Sequence, residues 1–444
     1  MNKNNPSGNN STRREFVKNT SLLAGGILAA PLLSRANFFS GSDDVIKVAL
    51  IGCGGRGTGA ATQALMTKQN VKLVAMADAF RDRLDNSYKE LTSGDNSDGN
   101  VKARVDVPEE RKFVGFDAYL KAIPLADVVI LATPPGFRPI HFEEAVKQNK
   151  HIFMEKPVAT DPAGIKRVLD AAAIAKQKKL NVVVGLQRHF QYSYRELIKR
   201  KDMIGDIISA QAWWNNDGVW VHPRQAGWTE MEYQMRNWYY FVWLCGDHIT
   251  EQHIHNLDVI NWFKGGYPVK AQGMGGREVR VGKDYGEIFD HHYVEFHYAD
   301  GSVLNSQCRH QPKTMSKVDE LFIGTKGKIY CGDANIVDHK GKVLYQFDRK
   351  TENNPYQTEH DELFEAIAKG EYKFDQAENG AKSSMTSILG RMATYSGQIV
   401  EWDKAINSGI DLHPKVYDWA ANPPVLPGAD GMYPAAKPGV TKFA

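Results

Sequence analysis

The sequence has few cysteines, no long apolar run and almost no net charge, and each absence excludes a class of protein. Its four cysteines, Cys53, Cys245, Cys308 and Cys331, form no C-x-x-C pair, so neither a zinc ribbon nor a disulfide framework is indicated. The apolar run at 22–33 would be about 18 Å long as a helix, too short for a hydrocarbon core of about 30 Å. The formal net charge of +3 over 444 residues gives no indication of nucleic-acid binding.

The first forty residues have the pattern of an export signal. The segment TRREFVK at 12–18 precedes the apolar run, and a site of small residues ends at Ala36. This pattern resembles a twin-arginine signal, for which a membrane anchor is the alternative. Residues 1–36 carry five basic residues and one acid, so cleavage after Ala36 would lower the net charge from +3 to −1. We therefore expect export to the periplasm and no membrane attachment after signal removal.

The remainder is long enough for two domains. From Val45 onwards, apolar strands alternate with helical segments, which predicts an α/β domain with a parallel sheet covered on both faces over residues 41–180. Beyond about residue 205, strands alternate in polarity around the turn Ala299-Asp300-Gly301, which is typical of an antiparallel hairpin. We expect an α+β domain with a mostly antiparallel open sheet over residues 181–404. A proline-rich, extended tail at 405–444 is expected to lie on a surface or on a neighbouring subunit.

A glycine-rich turn follows the first strand and opens a helix. It has the dinucleotide pattern G-x-G-x-x-G, with these candidate contacts to the diphosphate: Gly52, Gly54, Gly55, Arg56 and Gly57. Small residues let the backbone approach a diphosphate, whose charge is met by amides at the helix N-terminus. Asp78 ends the second strand, where a carboxylate accepts hydrogen bonds from a ribose. Because Asp78 would repel a 2′-phosphate, NAD is favoured over NADP, although Arg56 and Arg81 could neutralise such a phosphate.

The motif Glu155-Lys156-Pro157 follows the fifth strand. Together with the glycine turn, the run ATPP at 132–135 and the histidine-rich segment GDHITEQHIHNLD at 246–258, it resembles the Gfo/Idh/MocA oxidoreductases over about residues 45–404. The resemblance implies that the α/β domain is a Rossmann domain with the open sheet of the second domain beside it. It also implies a substrate between Lys156 and a nicotinamide, and oligomers formed through the open sheet. It implies Lys156 and His255 as catalytic residues and these further cofactor contacts: Thr133, Pro134, Glu155 and Gln187.

The histidine-rich segment is predicted to be a helix with one ionisable face. At 100° per residue, His248, Glu251, His255 and Asp258 fall within an arc of about 80°. Glu251 lies one turn before His255, so we expect it to orient the imidazole and to be the third catalytic residue. A His-Glu-His face could also hold zinc, but no H-E-x-x-H pattern appears, and no metal is expected.

These residues predict an oxidoreductase that moves hydride between a sugar, glycoside or cyclitol and NAD. A lysine cation near the hydroxyl stabilises developing negative charge, and a neutral imidazole takes the proton. Clustered tryptophans at 213–240 suit a carbohydrate, although most such rings belong to cores or interfaces. An exported enzyme meets little free NAD, so a tightly bound cofactor is expected. The alternatives are a glycoside hydrolase that uses NAD transiently through C3 oxidation and elimination, and a sugar-binding protein with a vestigial cofactor site.

Overall fold

The computed structural model describes residues 44–93 and 101–442. The predicted twin-arginine signal at 1–40 lies outside the described residues. Within those residues, no helix is both long enough and apolar enough to cross a membrane.

The first sheet is parallel and six-stranded, in the order β3-β2-β1-β4-β5-β6. Its strands are β1 (Ile46–Ile51), β2 (Val71–Asp78), β3 (Lys112–Val114), β4 (Val128–Leu131), β5 (His151–Met154) and β6 (Val182–Val184). Alternate residues of β1 enter two separate cores, with Val48 and Leu50 in one and Ala49 and Ile51 in the other. The near-continuous apolar runs are explained by this double burial, and the predicted Rossmann fold is confirmed. Because β6 belongs to this sheet, the sheet continues past the expected domain boundary at residue 180.

Within the described residues, five α-helices connect these strands. They are α1 (Gly55–Met66), α2 (Arg81–Ser93), α3 (Ala118–Ala122), α4 (Arg138–Lys147) and α5 (Pro162–Gln177). Helix α5 begins where Asp161 accepts a hydrogen bond from the Gly164 amide at 2.7 Å, with Pro162 at the first helical position. Turns after β1, β2, β4 and β5 place the glycine turn, Asp78, Thr133 and Lys156 at the carboxyl edge of the sheet, where α/β proteins bind ligands.

The second sheet has nine strands, in the order β14-β13-β12-β11-β7-β10-β9-β8-β15. Its strands are β7 (Ile207–Asn216), β8 (Lys270–Gly276), β9 (His291–His297), β10 (Val303–His310), β11 (Lys317–Gly324), β12 (Gly327–Tyr330), β13 (Asn335–Asp338), β14 (Val343–Gln346) and β15 (Val400–Glu401). Only β7 and β10 pair in parallel, so the mostly antiparallel sheet is confirmed. The predicted hairpin at Ala299-Asp300-Gly301 joins β9 to β10.

In the described part of the chain, up to residue 442, eight α-helices accompany this sheet and the C-terminal region. They are α6 (Tyr192–Lys199), α7 (Glu230–Arg236), α8 (Val242–Cys245), α9 (His248–Glu251), α10 (Ile254–Lys264), α11 (Pro355–Ala368), α12 (Ala377–Ser396) and α13 (Trp402–Ile406). Helix α11 returns to the first sheet, because Leu363, Phe364 and Ile367 belong to the same core as Leu50 and Ile130. The range 181–404 is therefore not one contiguous domain: residues of α11 complete the core of the Rossmann domain.

The C-terminal tail beyond α13 lies against the Rossmann domain. The ring of Trp419 is 5.0 Å from that of Phe80 and 4.4 Å from that of Phe116. His413 Nε2 lies 2.7 Å from the Gly136 carbonyl, in the turn after β4. The tail thus packs aromatic rings beside the edge of the sheet where the glycine turn and Asp78 lie.

Buried histidines make folding stability depend on pH. Burial lowers the pKa of His141 to about 3, that of His151 to about 4 and that of His253 to about 3. The unfolded chain takes up these protons at the ordinary value near 6.5, so stability is full above that pH and falls as the pH drops towards the folded values. We expect each of these three histidines to lower the free energy of unfolding by about 2 kcal/mol at pH 5 relative to pH 8. Denaturant unfolding across this range measures the loss.

His151→Gln is expected to make the stability curve shallower between pH 8 and pH 5, because one of these groups is then gone. His339, which is exposed, supplies the matched control, and His339→Gln should leave the slope unchanged. A slope that is the same in both variants would contradict this origin of the pH dependence.

Candidate active site

The glycine turn joins β1 to α1 with its backbone packed tightly on one side and open on the other. A Cβ on Gly52, whose φ is +98°, would lie 2.5 Å from the Thr133 amide nitrogen, and one on Gly57 would lie 1.9 Å from the Gly52 carbonyl oxygen. A Cβ on Gly54 or Gly55 would meet nothing within 4 Å. The packed glycines are required by the fold, whereas the open pair leaves space beside the N-terminus of α1, where a diphosphate fits.

A cavity of about 530 Å³ opens at this edge of the sheet. It is lined by the glycine turn including Arg56, by Asp78 and by Thr133 and Pro134, all of which the sequence predicts as cofactor contacts. Segments from beyond the first sheet cover it with Trp220, Met235 and Trp238. The shape suits an extended ligand that crosses the carboxyl ends of β1, β2 and β4.

Asp78 is held in place by the turn that it faces. Its Oδ2 accepts a hydrogen bond from the Cys53 amide at 2.7 Å, and its Oδ1 accepts one from the Phe80 amide at 2.8 Å. Burial raises the pKa of Asp78, and the two amides and the charge of Arg83 oppose that rise. Arg83 also lines the cavity. The carboxylate is therefore fixed beside the glycine turn, at the position that a ribose occupies in this fold.

The two arginines considered for a 2′-phosphate already have carboxylate partners. Arg56 forms ion pairs with Glu155 and with Glu359 of α11. Arg81 forms ion pairs with Asp85 and Glu109 on the surface. Either guanidinium would have to leave its partners to bind a phosphate.

Lys156 follows β5 and contacts the start of the histidine-rich segment. Its ammonium donates to the Glu251 carbonyl at 2.6 Å and to Glu251 Oε1 at 3.0 Å. Both side chains are about one-tenth exposed, 11% for Lys156 and 10% for Glu251. The second oxygen of Glu251 is buried without a hydrogen-bond partner. Glu251 therefore holds the lysine, whereas the sequence predicted that it would orient His255.

His255 lies in the first turn of α10 and is 7% exposed. Its ring stacks on that of Trp214 with centroids 5.7 Å apart, and its Nδ1 has no hydrogen-bond partner. Burial lowers the pKa of His255 well below its usual range, and the charges of Lys156, Arg188 and Arg56 lower it further. The imidazole is neutral at pH 7 and has Lys156 as an electrostatic neighbour, which leaves it able to accept a proton.

The predicted single ionisable face does not form. The helix is interrupted at residues 252 and 253, where the buried His253 places Nε2 2.7 Å from the Ser306 hydroxyl of β10. His248 pairs with Asp247, at 2.8 Å between Nδ1 and Oδ1. Asp258 contacts His189 at 2.7 Å. The four side chains therefore have separate partners, because tertiary contacts override the regular spacing of one straight helix.

The remaining predicted cofactor contacts have partners within the fold. The Thr133 hydroxyl is 3.2 Å from His141 Nδ1. The side-chain amide of Gln187 donates to the Tyr356 hydroxyl at 3.1 Å, and the side-chain oxygen Oε1 is buried without a hydrogen-bond partner. Glu155 carries the ion pair with Arg56. The cavity occupies only the end of the site beside the glycine turn and Asp78. Five predicted site residues do not line it: Glu155, Lys156, Gln187, Glu251 and His255.

Sequence reasoning missed three residues near this site. Glu359 is fully buried on α11 and pairs with Arg56, 303 residues away, so no local pattern could reveal it. Tyr239 is buried, and its hydroxyl has no hydrogen-bond partner. Burial raises the pKa of Tyr239 most, and the negative charge of Glu251 raises it further. The indole nitrogen of Trp214 is also buried without a partner. The aromatic composition of residues 213–240 was a signal for the last two, but it does not say which rings reach the site.

A Rossmann sheet with an open glycine turn and a fixed carboxylate after β2 defines a dinucleotide-binding protein with a second, open-sheet domain. Residues 46–186 match the model of the family GFO_IDH_MocA, described as an oxidoreductase family with an NAD-binding Rossmann fold. Residues 46–186 are therefore similar to the NAD-binding domain of the Gfo/Idh/MocA oxidoreductases. The predicted family resemblance is confirmed for this domain.

Curated relatives match part of the chain. The 2,7-anhydro-N-acetylneuraminate hydratase of Escherichia coli is 27% identical over 183 residues, which cover 40% of this chain and 44% of the relative. The inositol 2-dehydrogenase of Gluconacetobacter diazotrophicus is 29% identical over 155 residues, 34% of this chain and 40% of the relative. The chain thus spans about half or less of the length of these relatives.

The fold is also similar to solved structures. The scyllo-inositol dehydrogenase of Lactobacillus casei, solved with NAD(H) and scyllo-inositol, superposes with a TM-score of 0.60 at 19% identity. The match covers 81% of this chain and 100% of that chain. The aldose-aldose oxidoreductase of Caulobacter crescentus gives a TM-score of 0.61 at 18% identity, with coverage of 81% and 100%. At this identity the likeness establishes the two-domain fold.

Proposed function

We propose that this protein is an NAD(H)-dependent oxidoreductase that acts on a hydroxyl group of a sugar, glycoside or cyclitol, with a tightly bound cofactor. The observation that carries the proposal is the contact between Lys156 and Glu251, with the neutral, unpartnered imidazole of His255 as neighbour. Relatives named as an inositol dehydrogenase and as a hydratase of an anhydro sugar support a polyol substrate.

The residues divide the chemistry between them. Bound NAD supplies the acceptor for the hydride that leaves the carbon. The Lys156 ammonium, held by Glu251, faces the substrate oxygen and stabilises the negative charge that develops as the hydride leaves. The His255 imidazole accepts the hydroxyl proton, so the alcohol becomes a carbonyl with loss of one hydride and one proton. In the reverse direction the protonated imidazole returns that proton.

We infer that NAD is used in preference to NADP. Asp78 would repel a 2′-phosphate, and Arg56 and Arg81 are already paired with carboxylates. Asp78→Ala is expected to weaken NAD binding about 10-fold or more and to narrow the gap between NAD and NADP, because it removes both the ribose acceptor and the repulsion. Calorimetric titration of cofactor-depleted protein with each dinucleotide measures both changes. Glu90→Ala, which changes an exposed carboxylate farther along α2, should alter neither affinity; unchanged NAD binding in Asp78→Ala would contradict the assignment.

One experiment tests the activity and its main alternative. Purified protein is denatured to look for released NAD(H), and native protein is then incubated with free sugars, inositols and aryl glycosides. A change in NADH absorbance with a free polyol is the result expected for the oxidoreductase. No spectral change and no turnover with any of the three substrate classes would contradict both reactions.

The second candidate is a glycoside hydrolase that oxidises C3 transiently and returns the hydride after elimination and hydration. A relative named as a hydratase favours it, since that reaction adds water with no net redox change. The same Lys156 and His255 would perform the oxidation. Release of aglycone from an aryl glycoside without net change in NADH would identify this reaction.

Export by the twin-arginine route and self-association complete the proposal. The sequence TRREFVK at 12–18 supports export of an already folded chain, which would carry its cofactor from the cytosol into the periplasm. The outer faces of β7, β9, β10 and β11 carry half-exposed polar side chains, including Gln211, Tyr293, Glu295 and Asn305. Such a face suits pairing of two open sheets. Sedimentation of the purified protein at the monomer mass would contradict the homo-oligomer.

A further inference from the structure

The turn before α9 holds a buried carboxylate in a strained conformation. Gly246 and Asp247 both have positive φ, +78° and +72°, and a non-glycine residue in this region costs about 1–3 kcal/mol. Asp247 is completely buried. Its Oδ2 accepts from the Phe289 amide at 2.9 Å and from the Tyr395 hydroxyl at 2.5 Å. Its Oδ1 accepts from the His248 amide and lies 2.8 Å from His248 Nδ1.

Three buried imidazoles gather beside this carboxylate. The ring of His248 lies 4.8 Å from that of His292 on β9 and 4.5 Å from that of His310 on β10. Nε2 of His248, Nε2 of His292 and both ring nitrogens of His310 are buried without hydrogen-bond partners. Each unsatisfied buried polar atom costs about 1–3 kcal/mol, so this cluster requires a compensating group that binds nitrogen.

The neighbours of His292 determine which of its nitrogens carries a lone pair. Its Nδ1 lies 2.9 Å from the Thr394 hydroxyl, which itself lies 3.0 Å from the Arg391 carbonyl. When Thr394 donates to that carbonyl, it accepts from Nδ1–H, and Nε2 of the neutral ring is a bare lone pair. Nε2 then faces Asp247 Oδ2 at 3.4 Å, so two acceptors point at each other. The other tautomer would leave an N–H···O bond of 3.4 Å, which is long.

His248 lies on the other side of the carboxylate. Its Nδ1 is 2.8 Å from Asp247 Oδ1, so an ion between these two atoms would take the place of the proton that they share. A histidine whose other nitrogen is fixed by a carboxylate or hydroxyl is the usual form of a metal ligand. One atom each from Asp247, His248 and His292 lie within 4.8 Å of one another. Ligands about 2 Å from a common zinc ion are about 3.3 Å apart, so a small side-chain adjustment completes the set.

We propose that Asp247, His248 and His292 bind a divalent transition-metal ion, with Zn²⁺ as the best match. Neutral imidazoles and one carboxylate are the donors that zinc prefers. Two guanidinium groups lie nearby. Arg391 donates to the Gly246 carbonyl at 3.0 Å, and the charge of Arg280 lowers the pKa of His310. The ion would therefore be held by its nitrogen ligands and not by a surplus of negative charge.

This site differs from the zinc set considered from the sequence, His248, Glu251 and His255, because Glu251 and His255 have other partners. It also lies outside the cavity beside the glycine turn. Asp247 begins α9, the helix that ends at Glu251 and so positions Lys156. An ion would fix that helix and give His292 Nε2 a partner, and this role does not depend on which reaction the protein catalyses.

Elemental analysis of the purified full chain tests the site. We expect about one zinc ion per chain, and loss of most of it in His292→Gln and His248→Gln. His291→Gln is the matched control, because His291 lies next along β9 with its side chain on the other face, 42% exposed, and this variant should keep the ion. Metal retained in both cluster variants, or lost equally in the control, would overturn the proposal.

A second measurement on the unaltered chain covers the case in which the variants do not fold. Metal is removed with a chelator, and Co²⁺ is added to the still folded protein. Visible absorption between about 500 and 650 nm at one equivalent is expected for a four-coordinate site with nitrogen and oxygen ligands. A chain that is purified without metal and takes up neither Zn²⁺ nor Co²⁺ would overturn the proposal and would leave ordered water as the partner of the histidines.

Discussion

Lys156→Met is expected to lower kcat by at least about 10²-fold, with either a free sugar or an aryl glycoside as substrate. Methionine keeps the length of the side chain but removes the cation that faces the developing oxyanion. The substitution also leaves the Glu251 carboxylate, 10% exposed, without its ammonium partner. Initial rates at saturating substrate measure the loss, and the NAD(H) content of the denatured variant shows whether the cofactor site is intact.

Lys166→Met is the matched control, because Lys166 is an exposed lysine on α5. It should leave kcat and cofactor content unchanged. A double substitution, Lys156→Met with Glu251→Gln, removes the unpaired carboxylate and should restore stability to unfolding without restoring turnover. Undiminished turnover in Lys156→Met would remove this lysine from the reaction.

His255→Gln is expected to lower kcat by about 10²-fold or more, because glutamine fits beside Trp214 but cannot accept the hydroxyl proton. In the unaltered protein, burial and three nearby cations lower the pKa of His255, so it remains neutral well into the acid range. Oxidation should therefore show no acid limb near pH 6.5, where an ordinary histidine titrates. Turnover measured from pH 5 to pH 8 checks this, with the folded fraction determined at each pH because stability falls over the same range.

His253→Gln offers a comparison within the same segment, because His253 is buried and contacts Ser306, away from Lys156. Its effect is expected on stability, with kcat little changed. A clear acid limb near pH 6.5 in the unaltered enzyme would contradict the neutral, pKa-lowered state assigned to His255. Equal losses of kcat in the two variants would contradict its role as proton acceptor.

The parts of the site that are local in sequence were predictable. The glycine turn, Asp78 and the Rossmann topology follow from one strand, one turn and one helix, whose spacing fixes their geometry. The hairpin between β9 and β10 follows in the same way from alternation around one turn. In each case the determining contacts lie within about 30 residues of one another.

The partners of these residues could not be predicted, because they come from distant parts of the chain. Glu251 contacts Lys156 across 95 residues, and that contact gave Glu251 a role other than the one its spacing to His255 suggested. The regular helix expected over residues 246–258 is broken at His253 by a buried contact with β10, 53 residues away. Periodicity describes an isolated helix, and it cannot show where packing interrupts one.

The return of α11 to the first sheet has a consequence for biosynthesis. Leu363, Phe364 and Phe374 close a core to which β1, β2 and β4 also contribute. A nascent chain on the ribosome cannot complete this core until roughly residue 374 has left the exit tunnel. The nucleotide-binding half is therefore finished late in translation, after most of the second sheet has been synthesised, and residues 44–186 expressed alone would expose the apolar surface that α11 covers.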